Sequence, residues 1–261
     1  MTGAIIGDIV GSVYEFNNIK TKVFPLFKKD CFYTDDTVMT VAVADALLSW
    51  KREEGVDAFK DILVKKMHLY GALYPRAGYG GRFRCWLKNE EKAPYGSYGN
   101  GSAMRVSPVA YYAKTLDEAL LLAEASAAVT HNHPEGIKGA CAVAGAIFLA
   151  KGGAKKEEIR RFIENYYDIS FSLDGIREGY AFYEICQKSV PEALVAFLES
   201  ESFEDAIRCA ISIGGDSDTR AAIAGSVAEA YYGIPDKILR KGLSYLDDRL
   251  FSVVKAFKVI S

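Results

Sequence analysis

Helical periodicity runs through almost all of this 261-residue chain, and strand-like alternation is nearly absent. Apolar residues recur at three- and four-residue spacing in one segment after another, which is typical of amphipathic helices. Half of the residues are hydrophobic, so a chain of this length can bury a sizeable core. The pattern therefore predicts an all-α fold, organised as a single compact multi-helix domain over residues 1–261.

Capping and breaking residues predict the helix boundaries. Pro134 suits a first helical turn and Gly152-Gly153 ends the segment after it, so a helix is expected over 134–151. The other helices are expected at about 3–15, 34–54, 56–69, 103–113, 116–129, 155–167, 173–188, 191–199, 203–213, 219–232, 236–246 and 248–257. Residues 17–33 and 70–101 lack clear periodicity and are expected to be loops. A loop as long as the second is usually functional or mobile.

Small residues form a stripe along the first predicted helix, where Gly3, Gly7 and Gly11 recur every four residues. Each glycine costs a helix roughly 1 kcal/mol relative to alanine, so a packing or functional reason is expected. The stripe allows another helix or a ligand to approach the backbone closely.

Charge and cysteine content argue against several classes of function. With 32 basic and 34 acidic residues, the net charge is −2, and bulk charge does not predict binding to nucleic acid or acidic membranes. The five cysteines form no C-x-x-C pair, which predicts neither a disulfide framework nor a zinc site. No apolar segment reaches the length of a membrane span, and the N-terminus lacks a basic signal region. A mature, soluble, cytoplasmic protein is expected.

Two Thr/Asp clusters stand at the starts of predicted helices. They are Thr34-Asp35-Asp36-Thr37 and Gly214-Gly215-Asp216-Ser217-Asp218-Thr219, and Glu15 closes the first predicted helix. One such residue per helix is explained as an N-cap, for which Thr34 or Asp35 is suited. The excess of carboxylates instead favours a metal site, because like charges repel unless a cation separates them, and Mg2+ or Mn2+ prefers oxygen ligands. We therefore predict a two-cation site where three helix ends converge.

Other protein classes use similar acidic motifs. Asp216-Ser217-Asp218-Thr219 matches the D-x-D-x-T of phosphatases with an aspartyl nucleophile, but that motif follows a strand and 203–213 is predicted to be helical. A D-x-D glycosyltransferase requires an α/β nucleotide-binding fold, and the EF-hand spacing is missing. These alternatives are disfavoured.

Two further stretches at helix starts are candidates for ligand contacts. Tyr98-Gly99-Asn100-Gly101-Ser102-Ala103-Met104-Arg105 joins a glycine-rich loop to a helix start that can hold a phosphate, or is an ordinary turn with Ser102 as N-cap. In Thr130-His131-Asn132-His133-Pro134-Glu135, either Asn132 or His133 caps the helix, or a histidine ring donates a hydrogen bond to a ligand. The aromatic residues of 70–101 either stack on a base or pack against the core.

Taken together, these motifs resemble the ADP-ribosylglycohydrolase family. The resemblance rests on Gly7-Asp8 to Glu15, Tyr33 to Thr40, Gly99 to Arg105, Thr130-His131 and Gly214 to Gly225, and it covers almost the whole chain. It implies an all-α fold with two divalent cations, Mg2+ or Mn2+, in a cleft that binds ADP-ribose.

The resemblance also implies roles for individual residues. The implied metal ligands are Thr34, Asp35, Asp36, Asp216, Asp218 and Thr219. Glu15 would contribute to metal binding or catalysis, and Glu15 or Asp36 would transfer the proton. The implied substrate-binding residues are Gly99, Asn100, Gly101 and Ser102 at the phosphates, Met104, and His131 near the ligand. Arg220 replaces a smaller or neutral residue of many relatives, and the expectation is a difference at the cleft rim.

The implied reaction is hydrolysis of an N- or O-glycosidic bond at C1 of the distal ribose, in an ADP-ribosylated protein or a small ADP-ribose conjugate. The motifs leave open whether the linkage is to arginine, to serine or to another group, and they predict no oligomeric state. The alternative is a non-catalytic member that binds ADP-ribose or serves structurally, like the crystallin relatives of the family. The presence of all the acidic ligands favours catalysis.

Overall fold

Fifteen α-helices, numbered α1 to α15 in chain order, run through residues 1–260, which the computed structural model describes. They are Thr2–Gly11, Asp35–Ser49, Gly55–Leu73, Gly81–Lys88, Gly101–Met104, Ser107–Tyr112, Leu116–Ala128, Pro134–Lys151, Lys156–Glu164, Leu173–Ile176, Val190–Glu199, Phe203–Ile211, Ser217–Tyr232, Asp236–Leu243 and Asp248–Phe257. Within these residues the one β-type pairing is an isolated bridge between Gly99 and Ile185. The predicted all-α class, a single helical domain, is confirmed.

Helices α1 and α13 form the centre of the fold. Every residue of α1 from Gly3 to Gly11 is buried, and the glycine stripe of α1 lies directly on α13. A Cβ atom added at Gly7 would lie 2.0 Å from the carbonyl oxygen of Ala221, and one added at Gly11 would lie 2.4 Å from Cα of Asp218. The close approach of a second helix, which the glycine spacing predicts, is confirmed. It places the C-terminal end of α1 beside the N-terminal end of α13.

The remaining helices surround this pair. Helix α2 packs against α1, α3 and α15, whereas α11 and α12 pack against α13. Helix α8 packs against both α7 and α13. The N-terminal ends of α2 and α13 thereby meet the C-terminal end of α1.

The predicted helix at 173–188 is wrong. Only Leu173–Ile176 is α-helical, a 3-10 turn forms at Cys186–Lys188, and 177–185 between them is not helical. The ammonium group of Lys20 donates to the carbonyls of Arg177 and Tyr180, both at 2.7 Å, and to that of Ile213 at 2.6 Å. Two carbonyls of this segment, those of Arg177 and Tyr180, are thus held by a distant lysine rather than by helical hydrogen bonds.

Several other boundaries also differ from expectation. Helix α1 ends at Gly11 rather than at 15, and α2 ends at Ser49 rather than at 54. The predicted 70–101 loop contains the end of α3 and all of α4, because Phe83 and Trp86 of α4 are buried against the core. The predicted helix at 103–113 is divided into α5 and α6, where Pro108 starts a new first turn.

Two further observations concern membrane crossing and the cysteines. In the part of the chain that the structure describes, residues 1–260, no helix combines the length and the apolar character that a bilayer crossing requires. All five cysteines are free thiols.

Candidate active site

A buried carboxylate in α1 fixes the first acidic cluster. Asp8 is fully buried, and its Oδ1 accepts a hydrogen bond from the Thr34 hydroxyl at 2.7 Å. Its Oδ2 accepts from the backbone N–H of Thr34 at 2.9 Å and of Thr37 at 3.1 Å, and from the Thr37 hydroxyl. Thr34 in turn accepts from the N–H of Asp36 at 3.2 Å, so it is the N-cap of α2, one of the two caps predicted. No role for Asp8 was predicted from the sequence, in which it stood out as an acidic residue within an apolar helix and as part of the Gly7-Asp8 motif.

A tight turn ahead of α13 presents the second cluster. Gly214 and Gly215 have φ of +69° and +75°, in the left-handed region that favours glycine. The Arg220 guanidinium donates to the Gly214 carbonyl, and Asn18 Oδ1 accepts from the Gly215 N–H. Arg220 is fully buried and also donates to the Tyr180 hydroxyl at 3.3 Å. Arg220 therefore anchors this turn from the interior, and a difference at the cleft rim does not follow from its own side chain.

The meeting of α1 with α13 brings Glu15, which follows the end of α1 by four residues, close to Asp216 and Asp218. One carboxylate oxygen from each lies within 4.8 Å of the other two. Asp36 is linked to this trio through Thr219, whose hydroxyl donates to Asp36 Oδ2 at 3.3 Å. Within residues 1–260, the trio does not include Asp35 or Asp36 at that spacing. Both nevertheless line the same cleft.

These carboxylates repel one another. None of the ion pairs within residues 1–260 involves them. Burial, followed by the charges of neighbouring carboxylates, raises the pKa of Asp36 and of Asp218 well above the usual range. The same causes raise the pKa of Asp35 to about 8 and that of Glu15 to about 7.

This set of donors fits hard divalent cations. Asp36 Oδ1 is buried and has no hydrogen-bond partner among the described residues, so a bound cation would give it one. Carboxylate and hydroxyl oxygens are the ligands that Mg2+ and Mn2+ prefer, and positive charge would relieve the repulsion. The residues that could hold cations are Thr34, Asp35, Asp36, Asp216, Asp218 and Thr219, with Glu15 beside them.

The acidic cluster lines a cleft of about 490 Å³. This volume lies within the range of small-molecule sites. The cleft is also lined by the predicted substrate-binding residues Gly99, Asn100, Gly101, Met104 and His131. The Asn100 amide donates to Asp216 Oδ2 at 2.6 Å and to Ser189 Oγ at 3.1 Å. Asn100 thus connects the glycine-rich loop to the acidic cluster.

The structure does not bring the Ser102 side chain into the cleft. Ser102 is fully buried, and its hydroxyl donates to the Gly136 carbonyl at 2.7 Å. It is not an N-cap either, because Asn100 occupies that position of α5 and makes no side-chain capping bond. Helix α5 is only four residues long, so the predicted helix dipole is weak.

The two histidines of the third stretch have different surroundings. Nδ1 of His133 accepts from the Glu135 N–H at 3.1 Å, so His133 caps α8, as one of the two alternatives predicted. His131 is buried at the cleft surface, and its Nε2 lies 3.2 Å from the position of a Cβ atom at Gly101. Burial lowers the pKa of His131 well below its usual range, and two nearby arginines add to this effect. The ring is therefore neutral.

Aromatic side chains contribute to the cleft and to its mouth. Tyr79 and Trp86 pack in the core, which confirms the packing alternative for these two. Tyr95 lines the cleft. Phe16 and Phe182 stack on each other at the mouth, with ring centroids 6.1 Å apart, and both are exposed. This pair was not predicted from the sequence, because its members lie in irregular segments more than 150 residues apart along the chain.

Comparisons with known proteins show the family to which the chain belongs. A family model described as ADP-ribosylglycohydrolase matches residues 1–259. ADP-ribosylhydrolase ARH3 of Mus musculus is 26% identical over 90% of this chain and 83% of the relative. ADP-ribosylarginine hydrolase Tri1 of Pseudomonas putida (strain GB-1) is 30% identical over 90% of this chain and 70% of the relative. A solved structure described as an ADP-ribosylglycohydrolase-related protein complex shares the fold, with a TM-score of 0.69 and 24% identity over 100% of this chain and 97% of its own. The chain belongs to the ADP-ribosylglycohydrolase family, as its motifs predicted.

Proposed function

We propose that this protein hydrolyses the glycosidic bond between ADP-ribose and a protein side chain or small conjugate, with two divalent cations, Mg2+ or Mn2+, at the acidic cluster. The observation that carries the proposal is the cluster itself. Carboxylates from three helix ends meet without ion-pair partners in a cleft of about 490 Å³. Membership of the family and the hydrolase names of the relatives support the same reaction.

The arrangement of the cleft suits ADP-ribose. Gly99 and Gly101 expose their backbone at the cleft surface beside His131, where the diphosphate would bind. Asn100 joins this loop to Asp216, so a ligand held by the loop reaches the acidic cluster with its distal ribose.

The bond to be broken joins C1 of the distal ribose to a nitrogen or oxygen atom. Bound cations would supply positive charge that holds sugar hydroxyls and lowers the pKa of a nearby water. The water oxygen adds to C1 as the bond to the leaving atom breaks. A carboxylate of the protein takes the proton of the water, and the leaving atom gains a proton.

Glu15 is better placed than Asp36 for this proton transfer. Glu15 is only partly buried on the cleft wall, so its carboxylate is open to a water molecule in the cleft. Asp36 is buried, and its Oδ2 already accepts from Thr219. We therefore assign proton transfer to Glu15 and cation binding to Asp36.

The test is release of free ADP-ribose from arginine-linked and serine-linked ADP-ribosyl peptides, with Mg2+, with Mn2+ and with a chelator. Asp36→Asn and Asp218→Asn should abolish both turnover and cation binding while the fold is retained. Glu15→Gln should abolish turnover but keep cation and ADP-ribose binding. Full activity in the chelator, or in Asp218→Asn, would refute the proposal.

Thermal stability separates cation binding from simple helix capping. Asp218→Asn removes one of several repelling charges, so in the chelator its Tm should equal or exceed that of the wild type. Asp247, which caps α15 by accepting from the Leu250 N–H at 2.9 Å and has a lowered pKa through its hydrogen bonds, is the matched control. Asp247→Asn should lower the Tm. A loss of Tm in Asp218→Asn as large as that in Asp247→Asn would favour capping.

A non-catalytic protein that binds ADP-ribose is the competing hypothesis. It predicts metal-dependent binding of ADP-ribose without release from any conjugate, whereas the complete set of carboxylates supports turnover.

We also propose that residues 1–261 form one domain, because the cluster unites Glu15 with Asp218. We propose a reducing cytoplasm as its compartment, because all five cysteines are free.

A further inference from the structure

An arginine without a carboxylate partner lies at the cleft. Arg105 is fully buried, lines the cleft, and takes part in none of the ion pairs within residues 1–260. Its Nη2 donates to the hydroxyl of Thr130 at 2.8 Å and to the carbonyl of Ser126 at 3.2 Å. A guanidinium group has no acceptor and is always charged, so the Thr130 hydroxyl must be the acceptor in this contact.

The Thr130 hydroxyl contacts His131 as well as Arg105. Thr130 is fully buried, and its Oγ1 lies 2.7 Å from Nδ1 of His131. These are the two polar contacts of Oγ1 among the described residues, so His131 is the one partner left for the single hydrogen of the hydroxyl. A hydrogen on Nδ1 would leave that buried hydroxyl hydrogen without an acceptor, which protein interiors avoid. Rotation of the ring would have the same effect, because it would place a carbon atom beside the hydroxyl.

We infer that Arg105 and Thr130 are positioning residues that hold His131 in the neutral tautomer with its hydrogen on Nε2, so that the ring donates a hydrogen bond to an anionic oxygen of the ligand. Neither residue needs to touch the ligand. Arg105 sets the direction of the Thr130 hydroxyl, and the hydroxyl sets the tautomer of the ring.

The surroundings of Nε2 suit a donor that is open to the cleft. Cβ atoms added at Gly99 and Gly101 would lie 3.6 Å and 3.2 Å from Nε2. The glycines therefore leave free the space into which the hydrogen points. The lowered pKa of His131 agrees with a ring that stays neutral. That the acceptor is a diphosphate oxygen of ADP-ribose rests on the proposed function, whereas the tautomer does not.

Nitrogen-15 NMR of the labelled protein at about pH 7 tests the tautomer without any ligand. The chain has three histidines, so its imidazole spectrum is simple, and His131→Gln assigns the signal of interest. The wild type should show Nε2 protonated and Nδ1 unprotonated at His131. A protonated Nδ1, in a neutral or a charged ring, would overturn the inference.

Two substitutions at one position test the role of the hydroxyl. Thr130→Val keeps the shape of the side chain and removes the hydroxyl, and the His131 signal should shift toward the Nδ1–H tautomer. Thr130→Ser keeps the hydroxyl and should keep the wild-type tautomer. Unchanged signals of His68 and His133 show that each variant is folded. A Thr130→Val protein with the wild-type tautomer would remove Thr130 from the proposal.

Calorimetric titration with ADP-ribose tests the ligand contact. Thr130→Val should bind roughly 3- to 10-fold more weakly than the wild type, because it loses one oriented hydrogen bond, and Thr130→Ser should bind within roughly 2-fold. Wild-type affinity in Thr130→Val would overturn the ligand contact. Failure of the wild type itself to bind ADP-ribose would count against the proposed function, and the NMR spectrum would still decide the tautomer.

Discussion

A single methyl group at Gly7 tests the helix contact that assembles the acidic cluster. A Cβ atom there would lie 2.0 Å from the carbonyl oxygen of Ala221 and 2.6 Å from the backbone nitrogen of Ala222. Both are backbone atoms of α13, which cannot swing aside as the end of a side chain can. Ordinary contact begins at 3.4 Å, so α1 and α13 would have to separate locally by about 1.4 Å, the difference between 3.4 and 2.0 Å.

Two opposing effects decide the stability of Gly7→Ala. Alanine favours a helix over glycine by about 1 kcal/mol, so local propensity alone predicts a more stable protein. Overpacking costs about 1–3 kcal/mol and occasionally more, and contact with rigid backbone is the severe case. We expect a net loss of about 2 kcal/mol in the free energy of unfolding, or roughly 4–8 °C in Tm for a chain of this size.

Gly7→Ala should remain folded but lose most of its turnover. Separation of the two helices moves Asp8, and the Thr34 that it holds, away from the carboxylates at the start of α13. A displacement of about 1 Å in a catalytic site can cost about 100-fold in rate, and we expect a loss of that order in kcat.

The measurements are thermal denaturation and ADP-ribose release, with Gly152→Ala as the matched control. Gly152 follows α8 with φ of −75°, and the nearest atom to a Cβ there lies 3.4 Å away, so this substitution should be harmless. If Gly7→Ala were as stable and as active as Gly152→Ala, the contact between α1 and α13 would not be what places the cluster.

Three further perturbations give expected outcomes. In a chelator, the folded protein binds more protons than the unfolded chain between about pH 4 and 8, because the pKa values of Glu15 and Asp35 are about 7 and about 8 when folded and about 4 when unfolded. The Tm should therefore fall as pH rises through this window and Mn2+ should abolish the fall, whereas a Tm that rises with pH in the chelator would contradict the repulsion. Asp8→Asn places an amide among four hydrogen-bond donors, so urea denaturation should show a loss of about 1–3 kcal/mol and calorimetry a weaker Mn2+ affinity; unchanged affinity would argue against the role of Asp8. Lys20→Met should speed hydrogen exchange in 177–185 without global unfolding, and wild-type exchange there would show that the lysine does not hold the segment.

Sequence patterns predicted both boundaries of one helix, where local signals marked its start and its end. Helix α8, Pro134–Lys151, has its predicted bounds because a proline at its start and Gly152 after its end act on their own neighbours. The 177–185 segment could not be predicted in this way. Its apolar spacing is typical of a helix. However, Lys20, which lies 157 residues from Arg177 along the chain, donates hydrogen bonds to the carbonyls of Arg177 and Tyr180. A contact between such distant residues leaves no local pattern.

The candidate site likewise contains some residues that could be predicted from the sequence and others that could not. The convergence of Glu15, Asp216 and Asp218 could be predicted, because too many carboxylates for capping stood at three helix ends. Asp8 could not, since its four hydrogen-bond donors belong to residues 26 and 29 positions away. The family resemblance implied that Ser102 lines the cleft, yet its hydroxyl donates to the Gly136 carbonyl of α8 instead.

The cluster cannot exist until distant parts of the chain have met, since Asp36 and Thr219 are separated by 183 residues. During synthesis, α1 emerges early and must wait for α13, the helix that covers its glycine stripe. Until then its apolar surface is open to chaperones or to aggregation. Cations that bind at the proposed site could do so only after α1 and α13 have met, because Asp216, Asp218 and Thr219 lie at the start of α13. A chain that ends before α13 would therefore lack half of the proposed cation ligands, and the cleft would form only in the completed fold.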